Sequence, residues 1–187
     1  MDEEKLVEYT VKQLRLLRHN FMNTLQVIYA YLQINKPDKA IEYMKEINKN
    51  MFSLSLIYNL ENPFISLLMQ DIIMEVEKIG ADYEIITNID YIPTEVFTKN
   101  KNEILTLFEN IKKYLLNGLK GNNVSKKLYI EIGEDDKAYL IDFYNTGLKE
   151  KIKSTNYETP YKIDGLNLRL YEFGNSFLLE VSIEKSR

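Results

Sequence analysis

One histidine stands in the whole chain, His19, inside the stretch LRLLRHNFMNTLQ at residues 14–26. A neutral imidazole is a nucleophile and a base near physiological pH, and its neighbours decide whether either property is used. Arg15 and Arg18 precede it, and Met22, Asn23 and Gln26 follow at one- and two-turn spacing on a helix. The two guanidinium groups favour a neutral, nucleophilic ring and suit an incoming phosphoryl group. The plainer alternative is a polar residue on a solvated helix face, with Arg18 snorkelling to water.

These residues require a helix to hold them, and the sequence supplies one. No glycine or proline occurs from Lys5 to Ile34. Val7, Val11, Leu14, Phe21, Leu25, Ile28 and Leu32 step by four and three, interrupted at Arg18, which is the seam of a bundle or coiled coil. The short connection INKPDK leads to a second periodic set, Ile41, Met44, Ile47, Met51, Leu54 and Tyr58. Asn35 or Asp38 is expected to cap that helix, with Pro37 in its first turn. A short connection makes the two helices antiparallel neighbours. A hairpin of this size gains too little from its own core, since scaffolds below about 70–80 residues rarely gain more than about 3–5 kcal/mol. Two hairpins packed as a homodimeric four-helix bundle would solve this, and packing on the rest of the chain is the competing solution. His19 lies about 100° round from Arg18, on the outer polar flank.

From Asn62-Pro63 onward the pattern changes. FISLLMQDIIMEVEKIG reads as a helix stopping at Gly80, and residues 82–89 as a strand. A second helix is expected from a cap at Asn100 or Asn102 to near Gly118 or Gly121. Two strands joined by the acidic turn EDD follow, then a polar loop over 148–165, then a hairpin around Gly174-Asn175. The fold class is α+β: a helical hairpin over 1–61, then an α/β sandwich over 62–187 with helices on one face of a mostly antiparallel sheet.

Bulk properties narrow the function. At 187 residues, 45% hydrophobic and 28% charged, the chain is globular in composition. A net charge of −4 argues against a nucleic-acid backbone as the main partner, and the lack of cysteine excludes disulfides and thiolate metal sites. The acidic start MDEEKLVEYT is unlike a secretory signal, and no apolar run reaches the roughly 18 residues of a membrane span. A cytoplasmic, membrane-free chain is expected.

A histidine-bearing hairpin followed by a small α/β sandwich has the layout of a sensor histidine kinase core. The stretch LRHNFMNTLQVIYAYLQINKPDKAIEYMKEI resembles the hairpin of the sporulation-initiation phosphotransferase B family. Arg18, His19, Phe21, Asn23, Leu25 and Gln26 also match the pattern in citrate/fumarate-type sensor kinases. The resemblance implies that His19 carries a phosphoryl group between response-regulator aspartates. On that reading Arg15 and Arg18 steady charge, and Leu16, Met22, Asn23 and Gln26 form the docking flank. No cofactor is expected on this chain, magnesium coming with the partner regulator.

A kinase of this type would also need an ATP pocket, and the sequence departs from one. Asn110 is followed three residues on by Lys113, a cation where a magnesium-holding asparagine is expected. Asn145-Thr-Gly147 stands where Asp-x-Gly would read adenine, and IDGLNLRL offers the lone Gly165 where a lid wants several. Lys112 and Lys113 read as solvated helix charge. Asn20 follows the histidine where kinases carry an acid, so the base that prepares attack on ATP is missing. A phosphotransferase is therefore expected; the alternatives are a non-catalytic regulator-binding adaptor and an atypical kinase binding nucleotide through Asn110, Asn145 and Gly147.

Overall fold

The computed structural model describes residues 3–95, 101–120, 126–146, 149, 153, 157–163 and 166–185. By its internal contacts the chain divides into two compact units, Met1–Ser55 and Leu56–Arg187.

The first unit is a helical hairpin of α1 (Glu3–Gln33) and most of α2 (Pro37–Tyr58). The turn between them is set by Asn35, whose φ of 54° is left-handed. Lys36 N–H bonds the Tyr31 carbonyl at 2.9 Å and Asn35 N–H bonds that of Leu32 at 3.0 Å, the paired closure of a Schellman motif. Asn35 thus ends α1 and does not cap α2. Pro37 opens α2, where its missing N–H costs nothing, and Asp38 sits in the first turn against the helix dipole. Beyond the turn the Tyr31 and Tyr43 rings meet edge to face at 6.4 Å.

The second unit contains α3 (Pro63–Lys78), β1 (Asp82–Thr87), α4 (Lys101–Leu119), β2 (Lys127–Glu134), β3 (Ala138–Tyr144), β4 (Tyr157–Ile163), β5 (Leu166–Phe173) and β6 (Ser176–Glu184). The six strands lie in the order β1-β2-β3-β6-β5-β4. Only β1 and β2 run parallel; the other pairs are antiparallel. The polar stretch expected to be a loop over 148–165 therefore includes an edge strand. Asn62 starts α3, its Oδ1 accepting from the Phe64 and Ile65 N–H groups while its Nδ2 donates to the carbonyls of Ile92 and Pro93. Gly80, at φ 69°, closes the far end as expected.

Alternation divides the sheet into two faces. One is apolar, with Ile130, Ile132, Ile141, Phe143, Leu179 and Val181 buried. The helices lie on this side: the Tyr114 ring of α4 meets Phe177 of β6 edge to face at 5.6 Å. The helix ends at Leu119, next to Gly118 as expected, and a Cβ on Gly118 would stand 2.7 Å from the Phe177 ring. Of the other positions read as ends of this helix, Asn102 is already helical, while Asn100 and Gly121 fall outside the described residues. Lys112 is not solvated. Its amine is 2.5 Å from Asp71 of α3 and 2.8 Å from Glu109. Burial lowers its proton affinity, but the hydrogen bonds to the two carboxylates outweigh this and raise its pKa overall.

The opposite face carries a cross-strand row of Glu131, Asp142, Glu180 and Arg169. Lys149 reaches Glu131 and Asp142 at 2.5 and 2.7 Å, Lys153 reaches Asp142 and Glu180 at 3.3 and 3.0 Å, and Arg169 reaches Glu180 at 2.8 Å. Three carboxylates are matched by three cations, which is what lets Asp142 sit buried.

Gly118→Ala forces the Phe177 ring out of its seat against α4. Urea denaturation is expected to show a loss of about 1–3 kcal/mol, the usual cost of overpacking.

Candidate functional site

Three faces of α1 carry different residues. The better-covered positions are Thr10, Gln13, Leu16, Thr24, Val27 and Tyr31, recurring at helical spacing. The seam read from the sequence lies on a second face. In the chain by itself Val7, Val11, Leu14, Phe21, Leu25 and Leu32 are exposed, Leu14 by 59% and Phe21 by 61%. Ile28 is half-buried, and Arg18 sits exposed among them. A third face carries Arg15, His19, Met22, Asn23 and Gln26, all exposed, with half-buried Leu16 at its border.

The sequence-predicted site residues are thus brought together by the helix itself. Arg15 is four residues before His19 and Asn23 four after, and residues at that spacing stack along one face. Asn23 Nδ2 lies 3.2 Å from His19 Nδ1. The sequence reading had placed Asn23 on a docking flank; the structure joins it to the ring. The signal was present, because an amide four residues from an imidazole on one helix is within hydrogen-bonding reach. The other ring nitrogen, Nε2, lies across the ring from this contact. Asn20, the residue after the histidine, is exposed and has only an amide to offer.

The residues read as remnants of a nucleotide site are arranged differently. Asn145 is buried to 1% exposure. Its Nδ2 donates to the Asn175 carbonyl at 3.1 Å and its Oδ1 accepts from the Phe177 N–H at 2.9 Å. Both ends of the amide are spent on the β5–β6 turn, where Gly174 has φ 61°. Asn110 and Lys113 are exposed on α4. Gly147 and Gly165 fall outside the described residues. An amide bonded at both ends to a hairpin does not fit the reading of adenine, and Lys113 beside Asn110 does not fit the holding of magnesium.

A hollow in the second unit lies elsewhere, an open space of about 420 Å³ lined by Tyr58, Glu61, Asn62, Pro63, Ser66, Leu67 and Gln70. The Tyr58 hydroxyl donates across it to Gln70 at 3.0 Å. It contains none of the sequence-predicted site residues.

One comparison with known proteins falls on α1 and α2. Residues 1–60 match the family described as Sensor_kinase_SpoOB-type, alpha-helical domain. The sensor protein CitS of Halalkalibacterium halodurans is 21% identical over 182 residues, a match covering 89% of this chain and 34% of that protein. The chain therefore spans about a third of that relative's length. Among solved structures, the catalytic domain of histidine kinase ThkA is 16% identical with a TM-score of 0.41, covering 63% of this chain and 90% of that one. ThkA in complex with response regulator protein TrrA is 13% identical with a TM-score of 0.43, covering 98% and 64%. Histidine kinase AdeS of Acinetobacter baumannii is 9% identical with a TM-score of 0.38, covering 90% and 98%. The family match is a likeness of residues 1–60 to a SpoOB-type helical domain, and the CitS relative adds a distant likeness to a sensor protein. No described helix is long and apolar enough to cross a membrane.

Asn145→Ala leaves the Phe177 N–H buried without an acceptor. A loss of about 1–3 kcal/mol is expected in chemical denaturation, the cost of an unsatisfied buried donor. Asn145→Asp keeps the acceptor for Phe177 but sets a carboxylate against the Asn175 carbonyl, so it too destabilises.

Proposed function

We propose, for this histidine-kinase-like chain with a SpoOB-type hairpin, that it is a phosphorelay phosphotransferase. His19 takes a phosphoryl group from the phospho-aspartate of one response regulator and passes it to the aspartate of the same or a second one. The observation that carries the reading is the exposed imidazole on a helix that bears no carboxylate from Arg15 to Asn23, with the Asn23 amide at its Nδ1.

In the forward step the Nε2 lone pair forms a bond to phosphorus as the acyl oxygen–phosphorus bond breaks, and the carboxylate leaves with that electron pair. The donor is already activated, so no acid beside the histidine is needed, and Asn20 is tolerated. Catalysis rests on positioning and charge neutralisation. Arg15 and Arg18 offset charge near the ring, while Leu16, Met22, Asn23 and Gln26 present the surface on which a regulator docks. Magnesium enters with the regulator. The spent amide of Asn145 and the cation at Lys113 support transfer without ATP.

The exposed stripe from Val7 to Leu32 supports a homodimer in which two hairpins close into a four-helix bundle. A cytoplasmic location is part of the same proposal.

Wild type and His19→Gln are each mixed with magnesium and regulators carrying labelled phosphate, and separately with labelled ATP. Label is expected on the wild type from a regulator, none from ATP, and none on His19→Gln from either. Label arriving from ATP makes the chain a kinase. No label from any regulator leaves an adaptor.

Phe21→Glu sets a carboxylate into the exposed stripe. Light scattering is expected to report twice the 22.1 kDa chain mass for wild type and the single mass for the variant.

A further inference from the structure

Each helix of the hairpin carries one polar residue inside its outward apolar run. On α1 the run Leu14, Arg18, Phe21, Leu25 steps by four, three and four. On α2 the outward run is Ile41, Met44, Asn48 and Met51, stepping by three, four and three. Ile41, Met44 and Met51 are exposed, and so are Arg18 and Asn48. Alternating steps of three and four are the spacing of knobs-into-holes packing, and Arg18 and Asn48 both fall at the a position of the heptad. We propose that Arg18 and Asn48 set the register and the number of chains in a pairing of two copies of this hairpin, an inference that rests on the homodimer reading above.

The choice of a second copy follows from length and pattern. The α1 run from Val7 to Leu32 extends roughly 38 Å at about 1.5 Å per residue. Covering it takes a helix of similar length, and two adjacent runs call for two helices. A second hairpin supplies both.

Charge decides what Arg18 does there. No carboxylate occurs in α1 after Glu8 or in α2 after Glu46. Glu8 is ten residues from Arg18, roughly 15 Å along the axis. The contact of Tyr31 with Tyr43 fixes the levels of the two helices and puts Glu46 about as far away. A second copy aligned level for level therefore brings Arg18 no counter-ion, and its long stem carries the guanidinium to water at the rim of the seam. In that alignment the two Arg18 side chains share one layer and the two Asn48 side chains another. A slip of one heptad sets each Arg18 against Val11 or Leu25, where an unpaired charge is costly. A larger assembly encloses the same layer and cuts it off from water. Both polar residues lower the affinity of the pair and disfavour its alternatives more. A different protein covering α1 would answer Arg18 with a carboxylate, and the variants below distinguish that case.

The chain has no cysteine, so Lys12→Cys and Gln33→Cys each give one exposed thiol on α1. Full-length chains carrying a donor dye at the first site are mixed with chains carrying an acceptor at the second. Energy transfer then occurs only between copies, and a slip of one heptad changes the separation along the axis by roughly 10 Å. Light scattering on dilution gives the mass and the dissociation constant. Wild type, Arg18→Lys, Arg18→Leu and Asn48→Leu are compared in this background, with helicity checked by circular dichroism. Wild type and Arg18→Lys are expected to be dimers with a single transfer efficiency. Each leucine variant is expected to associate about tenfold more tightly, as a newly buried leucine allows, and to show a second efficiency or a mass above the dimer. A leucine variant that dissociates more readily than wild type would overturn the inference, because the polar group then bonds across the interface. Unchanged affinity would overturn it too, by placing the residue outside the seam, as would tighter dimers that keep one efficiency. In each of these cases the wild-type dimer stands. A wild type that stays monomeric at high concentration removes the homodimer reading and this inference together, while label transfer to His19 is read separately.

Discussion

A two-helix hairpin can cover one face of each helix and no more. That limit organises the first unit. On α1 the positions from Thr10 to Tyr31 that recur toward the chain's own cover are better buried, while Val7, Leu14, Phe21, Leu25 and Leu32 remain open to water. A continuous apolar stripe of this kind is a surface awaiting cover, whereas isolated exposed apolar residues would need no explanation. The third face of α1 is polar and exposed, and it is the candidate for chemistry. His19 stands on that third face, and nothing larger than a helical turn is needed to place Arg15 and Asn23 beside it.

The second unit uses its polar residues differently, and one side chain shows the exclusion most sharply. An asparagine amide has one carbonyl oxygen and one NH2, and those of Asn145 are bonded to Phe177 and Asn175. From its buried position this residue holds a hairpin turn together with one donor and one acceptor bond. In the charged row on the neighbouring strands each carboxylate of Glu131, Asp142 and Glu180 meets a lysine or arginine, while Asp142 Oδ1 is buried without a hydrogen-bond partner. Lys112 is bound to Asp71, so it ties α4 to α3. These groups stabilise a sheet and its helices, and their chemistry is spent in doing so.

How much the sequence discloses follows from how far apart the partners are. The helices and the central strands show in period and alternation, because both patterns are local. So does the site, since Arg15, His19, Met22, Asn23 and Gln26 lie within twelve consecutive residues. Asn35 misleads because asparagine suits both a helix start and a left-handed helix end, and the hydrogen bonds of the turn decide. Strand β4 hides because YETPYKI contains Pro160 and charged residues. On a sheet edge a proline costs little, and the register shift between Glu158 and Tyr161 accommodates it. Gly118 marks a helix end, but its lack of a Cβ is also used against Phe177, 59 positions on. The role of Asn145 is equally out of reach, because its partners lie 30 and 32 residues away.

The contrast between the two asparagines turns on burial. Asn145 is buried, so its two bonds are fixed and its orientation is a structural constant. Asn23 is exposed and makes its bond on a helix surface, where water competes and either end of the amide is available at small cost. Burying the histidine and its partner would strengthen the bond and fix its direction, whereas on an exposed helix face the contact stays adjustable.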